Sequence, residues 1–204
     1  MTKKKIFFDI DGTLFDAKSL LLDLFSFIQT TENLKDDETE LVKKIYTNTK
    51  NELGYFNPEE FINRLKISFK NISSDKIHKF LFSKSLDRYL FADVSILKDL
   101  SEKFILGIFS KGDYDFQKNK LENIKNLLNK SDIHIFTNKI NHSKEIINLN
   151  LDSRLLFVDD DISVLENLNL VSDEINLILI NRKNLYNNPT FKTIRSLEEL
   201  SKYE

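Results

Sequence analysis

A doubly wound parallel α/β sheet interrupted by a helical block is the fold that this 204-residue sequence predicts. Three observations predict it. Short apolar runs ending in charge or in a turn recur along the chain, as expected of strands buried on both faces. Helical patterns separate the later runs, which is the alternation of a parallel sheet. Directly after the first run the alternation stops, and four amphipathic helical patterns follow one another.

The first strand is placed at residues 6–9, within the stretch IFFDIDGTLFDA of residues 6–17. Similar runs follow at 104–109 (FILGIF), 155–158 (LLFV) and 177–180 (LILI), with 133–136 (IHIF) a weaker, alternating fifth. Between them, helices are expected over 115–128, 143–149 and 163–170. The block from 18 to 91 reads instead as LLLDLFSFI, ETELVKKIYTNTKNEL, PEEFINRLKISF and SDKIHKFLFSKSLDRYL, with apolar residues three and four apart. Breaks fall at 32–37 and at 54–57, and Pro58 suits a first helical position after Asn57. An all-helical insertion directly after the first strand suggests a cap over that strand's active end, the alternative being helices packed simply on the sheet. The expected domains are therefore a catalytic core of residues 1–17 and 92–204 and an α-helical cap of residues 18–91.

Composition narrows the function classes. Thirty Lys and Arg against 32 Asp and Glu give a net charge of -2, with no single-sign run of the kind that binds nucleic acid or a membrane surface. The absence of cysteine excludes disulfides, thiolate metal sites and a cysteine nucleophile. The start MTKKKIFFD is far from a signal peptide and no apolar stretch approaches 18 residues, so a cytoplasmic location is expected.

The chemistry gathers at strand ends. Asp9 and Asp11 close the first strand, Ser110 the second, Lys139 follows IHIFTN, and Asp159, Asp160 and Asp161 follow LLFV. In a parallel sheet these ends share one edge, where such folds bind ligands. Two carboxylates about 4 Å apart repel by roughly 4 kcal/mol at an effective dielectric of about 20, so burying them calls for compensation. A hard cation such as Mg²⁺ provides it, since it takes oxygen ligands and leaves positions for a phosphoryl oxygen. Asp9 can then serve as nucleophile toward phosphorus, and Asp11 as the acid and base. Gly12 permits a sharp turn close to a ligand. The hydroxyls of Thr13 and Ser110 and the ammonium groups of Lys111 and Lys139 suit phosphate.

The stretch Asp9-Ile10-Asp11-Gly12-Thr13-Leu14 with Asp16 resembles the first motif of the haloacid dehalogenase superfamily in its helical-cap subfamily. Ser110 resembles the second-motif hydroxyl residue, Lys139 the third-motif lysine, and Asp159 with Asp160 the fourth-motif acidic pair. The four points span nearly the whole chain. The resemblance implies a Rossmann-like core, Mg²⁺ held by Asp9, the Asp11 carbonyl and Asp159 with Asp160 nearby, and phosphoryl transfer through Asp9. It departs from the pattern at Ala17, where Ser or Thr is common, and at Lys139-Ile140, where Lys-Pro is usual. Lys144 therefore competes with Lys139, which is preferred because Asn141 or Ser143 would then cap the helix that follows. The run VDDD leaves open whether Asp160 or a more distant acid assists the metal.

Plainer roles stand beside these. Ser110 alone would be a turn residue, Asp161 suits the N-cap of the next helix, and Asp16 could simply start the first cap helix. His78, His134 and His142 lack zinc spacing, and most phenylalanines fall at core positions of helices. The expected function is a Mg²⁺-dependent phosphatase of small phosphorylated metabolites working through an aspartyl-phosphate. A phosphomutase or a catalytically idle binding member are the alternatives, and dehalogenase chemistry is disfavoured because that branch lacks the second aspartate. Arg64, Lys66, Tyr55 and Phe56 are candidates for facing the substrate.

Overall fold

The structure, a computed structural model, describes residues 3–82, 84–183 and 189–202. Its strands are β1 (Lys3–Phe8), β2 (Ile105–Lys111), β3 (Ile133–Phe136), β4 (Ser153–Asp159), β5 (Asn176–Ile180) and β6 (Lys192–Ile194). They form one sheet in the order β3-β2-β1-β4-β5-β6, and every pairing is parallel. This is the Rossmann-like α/β arrangement, in which the strand order reverses direction beside β1.

The period of two along a strand divides the core. Ile6 and Phe8 of β1 enter a buried cluster on one face of the sheet, while Phe7 enters a second cluster on the other. There Phe7 stacks on Phe157 with ring centres 5.2 Å apart. Gly107 on β2 makes room for it, because a Cβ at that position would lie 2.6 Å from the Phe7 ring. The central strands are thus apolar on both sides, which is why they read as unbroken runs.

Four helices lie between β1 and the return to the sheet: α1 (Ala17–Glu32), α2 (Asp36–Leu53), α3 (Pro58–Ser68) and α4 (Ser74–Leu81). Their ends follow local chemistry. Asp16 caps α1 by accepting from the Ser19 amide, and Asn57 caps α3 by accepting from the Glu60 amide. Asn33 and Gly54 end α1 and α2 in the left-handed conformation. The inner faces of these helices, with Leu24, Ile45, Phe61, Leu65 and Ile77, join the same buried cluster as Ile6 and Phe8. The two crossings between sheet and helical block lie side by side, the Asp16 amide donating to the Tyr89 carbonyl and the Phe91 amide to Leu14.

The remaining helices are α5 (Leu97–Ser101), α6 (Tyr114–Lys120), α7 (Ser143–Asn148) and α8 (Ile162–Val171). The helical pattern expected over 115–128 is helical only to Lys120, after which the chain turns irregularly. Asparagine is a weak helix former, three of them fall in this stretch, and Leu121, Ile124 and Leu128 reach the core without a helix. Likewise the pattern over 74–90 stops at Leu81 and resumes as a tight 3₁₀ turn at Lys84–Tyr89. β6 was not expected, since it has three residues and only Ile194 is buried. Among the described residues no helix is long and apolar enough to cross a membrane.

Candidate active site

Register places the chemistry. Phe8 of β1 pairs with Ile108 of β2 and with Val158 of β4, so the residues that follow emerge together at the carboxyl edge of the sheet. The Asp9 amide donates to the Val158 carbonyl at 3.0 Å, which seats Asp9 directly beside Asp159. Asp9 is only 7% exposed. Lys139, in a 3₁₀ turn (Lys139–His142) after β3, reaches back across the edge. Its Nζ lies 2.6 Å from Asp9 Oδ1 and 2.6 Å from Asp159 Oδ2. Lys144 instead stands exposed on α7. The capping expected of Asn141 or Ser143 is not observed: His142 occupies the N-cap without a side-chain bond, and the 3₁₀ turn itself leads into α7.

Gly12 has φ of +85°, and a Cβ there would lie 2.1 Å from Asp160 Oδ2. Glycine is required twice over, by the turn and by the approach of Asp160. The hydroxyls of Thr13 and Ser110 are buried without a hydrogen-bond partner, Ser110 lying beside Asp9 without a well-formed bond. Lys111, at the end of β2, is exposed at the rim, where a Cβ on Gly54 would come within 3.7 Å of its ammonium. Asp161 caps α8 through the Ser163 amide, and Asp16 caps α1 as described.

Burial raises the Asp9 carboxyl above its ordinary range even though Lys139 opposes the shift. Burial likewise pushes Asp159 up to about 7. Asp160 is exposed on the cavity, and partial removal from bulk water together with the charges of Asp9 and Asp159 pushes it up to about 8. Burial alone would depress the Lys139 ammonium, but Asp9 and Asp159 outweigh it and hold the lysine protonated. Asp9, Asp159 and Asp160 each offer a carboxylate oxygen, and these atoms lie within 4.8 Å of one another. Fully ionised, this all-oxygen set would place three carboxylates against one ammonium, and the excess negative charge that otherwise keeps it partly protonated fits a hard divalent cation.

Two functional neighbours were missed from the sequence. The Asp11 carboxylate is gripped by Lys120 at 2.7 and 3.0 Å and by the Gln117 amide at 2.9 Å. Lys120 is 3% exposed and its ammonium lies 4.5 Å from the centre of the Phe116 ring and 5.0 Å from that of Phe15. A signal existed, because Phe116, Lys120 and Ile124 recur every four residues, which puts a lysine on the apolar face of the pattern.

Above this cluster is a cavity of about 430 Å³ that reaches the helical block. Tyr46, Lys50, Tyr55 and Phe56 line it; Arg64 and Lys66 do not. Arg64 is tied instead to Glu52 and Glu60. Burial and the charge of Asp11 push the Tyr46 phenol up to about 12.

No protein-family model matches this chain, and no curated protein matches it. Solved structures do. A haloacid dehalogenase-like hydrolase from Burkholderia xenovorans LB400 superposes with a TM-score of 0.82 at 16% identity, covering 100% of this chain and 97% of that one. A Bacillus subtilis HAD-hydrolase bound to magnesium gives 0.64 at 18% identity, covering 100% and 99%. A phosphoserine phosphohydrolase-like protein from Francisella tularensis gives 0.60 at 18% identity, covering 98% and 99%. Dehalogenases are also among the similar structures. At these identities the likeness establishes the fold and leaves the chemistry to the residues of the site.

Proposed function

We propose that this chain, which has the fold of the haloacid dehalogenase-like hydrolases, hydrolyses small phosphomonoesters with Mg²⁺ through an aspartyl-phosphate on Asp9. The observation that carries this reading is Lys139 bridging Asp9 and Asp159 at 2.6 Å each, next to a third carboxylate on Asp160. The side chains of Asp9, Asp159 and Asp160, with the Asp11 carbonyl, would hold the ion. Bound there, it would offset the charge of nucleophile and phosphate.

In this reading an Asp9 oxygen attacks phosphorus while the bond from phosphorus to the ester oxygen breaks. Asp11 gives its proton to that departing oxygen. Water then attacks the phosphoryl group, Asp11 takes the proton, and the phosphorus–Asp9 bond breaks to release phosphate and restore the carboxylate. Lys139 holds Asp9 in place and stabilises charge on the phosphoryl oxygens, with the Ser110 and Thr13 hydroxyls and Lys111 as further donors. Asp11 also argues for phosphoryl transfer over dehalogenation, because displacement of halide needs no proton donor.

Asp9→Asn keeps the shape of the side chain and removes the nucleophile. Hydrolysis of p-nitrophenyl phosphate with Mg²⁺ is expected to fall to background in this variant while the circular dichroism spectrum is retained. Turnover near that of the unaltered protein would sink the covalent mechanism.

A further inference from the structure

The cavity that joins the acidic cluster to the helical block has two unlike ends. At the sheet it holds Asp9, Asp11, Lys139, Asp159 and Asp160. At the helical end the wall is made by Leu20 and Leu24 of α1, Tyr46 of α2, Phe56, Leu81 and Phe116. The aromatic members form one continuous surface, Phe56 standing 5.0 Å from Tyr46 and 5.6 Å from Phe116 between ring centres. Phe56 belongs to the helical block and Phe116 to α6 of the sheet domain, so the wall is closed from both sides.

Hydrogen-bonding groups on this wall are few. Of the residues from the helical block that line the cavity, only Tyr46, Lys50 and Tyr55 carry such side chains. Lys50 and, from the end of β2, Lys111 are exposed at the rim. Gln117 and Lys120 also line the cavity: Lys120 is taken up by both Asp11 oxygens and the Gln117 Nε2 by Asp11 and the Lys111 carbonyl, which leaves the Gln117 Oε1, buried without a partner, as one acceptor. A polyhydroxylated body would find Tyr46, Tyr55 and the Gln117 Oε1 as partners but would leave the hydroxyls that face Leu20, Leu24, Phe56, Leu81 and Phe116 unpaired. Each one buried so lowers affinity roughly tenfold or more. An apolar body of the same size would instead release ordered water from the aromatic wall.

We infer that the organic part of the substrate is an apolar ring or branched aliphatic group, so that the substrate is the phosphate monoester of an apolar alcohol and not a sugar or polyol phosphate. This rests on the phosphatase reading for the placement of the phosphate at the acidic end. The aromatic contact between Phe56 and Phe116 is the specificity-determining feature.

Cyclohexylmethyl phosphate and glucose 6-phosphate test it, since each carries a phosphorylated CH₂ on a six-membered ring and they differ in ring oxygens. Binding of both to the Asp9→Asn protein in Mg²⁺ is measured by calorimetry. The apolar ester is expected to bind at least about 30-fold more tightly, equivalent to about 2 kcal/mol. Phe56→Gln is expected to shrink that ratio to a few-fold. Equal or tighter binding of glucose 6-phosphate, no binding of cyclohexylmethyl phosphate, or an unchanged ratio in the folded Phe56→Gln variant would overturn the inference. Hydrolysis by the unaltered protein is followed separately. A retained preference without hydrolysis would sink the phosphatase reading alone, whereas hydrolysis of both esters at equal kcat/KM would sink the substrate class alone.

Discussion

Lys139 carries two short ion pairs in a nearly dry setting, and removing it would leave Asp9 and Asp159 buried against each other. In the proposed reaction the same ammonium stabilises charge that develops on the phosphoryl oxygens. Lys139→Ala is therefore expected to lower kcat on the order of 100-fold, about 2.7 kcal/mol, with a smaller change in KM. Lys144→Ala, on the exposed side of α7, should be kinetically close to the unaltered protein. Assaying both on p-nitrophenyl phosphate decides the matter, and a crippled Lys144→Ala beside an active Lys139→Ala would reverse the assignment. The residues at the sheet edge were legible because strand ends, charge and glycine mark them in the sequence. The apolar spacing of Phe116, Lys120 and Ile124 marks Lys120 as inward-facing, but that it grips Asp11, 109 positions away, follows only from the packing of α6.

Elements whose apolar spacing was reinforced by end signals were legible: Asn57-Pro58 opened α3, Gly54 closed α2, and Asp161 opened α8. Where spacing stood alone it misled, because Leu121, Ile124 and Leu128 satisfy helical spacing while the backbone turns irregularly. The contact that braces the crossings of the helical block gave no sequence signal at all. Arg182, two residues beyond β5, bonds both oxygens of Asp93 at 2.9 and 3.1 Å and donates to the Thr13 carbonyl. It also stacks 3.8 Å from the ring centre of Phe91. Asp93 further accepts from the Ser196 hydroxyl and the Leu197 amide. The Arg182–Asp93 pair thus links the loop after Asp11, the return crossing and the carboxyl-terminal turn. Arg182→Met would leave a largely buried Asp93 without its cation, a change expected to cost about 3 kcal/mol in urea unfolding. Adding Asp93→Asn should recover part of that loss, because the stranded charge is gone. A single-variant loss below about 0.5 kcal/mol, the range of an ordinary surface change, would refute the brace.

The acidic edge also sets how the whole chain responds to pH. In the absence of metal, Asp9 is raised, Asp159 lies near 7 and Asp160 near 8, whereas an unfolded aspartate titrates near 4. Between those limits the native state holds protons that the unfolded state has released. Stability then falls as pH rises from about 4 to about 8, the reverse of a salt-bridged carboxylate. His134 acts in the opposite sense near neutrality, because burial lowers its pKa, but it contributes one proton against the two or three of the cluster. Asp93 and Asp16 are both held low: burial opposes the shift and is outweighed, at Asp93 by Arg182 and backbone donors and at Asp16 by the Ser19 hydroxyl and amide, so their contributions are lost only toward strong acid. A divalent cation competes with the cluster's protons, so it should bind with proton release and abolish the decline. Thermal unfolding in EDTA is expected to show Tm falling from about pH 5 to about pH 8, and millimolar Mg²⁺ should raise Tm far more at the upper end than at the lower. A Tm that is flat or rising with pH in EDTA, or a Mg²⁺ effect of equal size at both ends, would show that Asp9, Asp159 and Asp160 do not share a cation site.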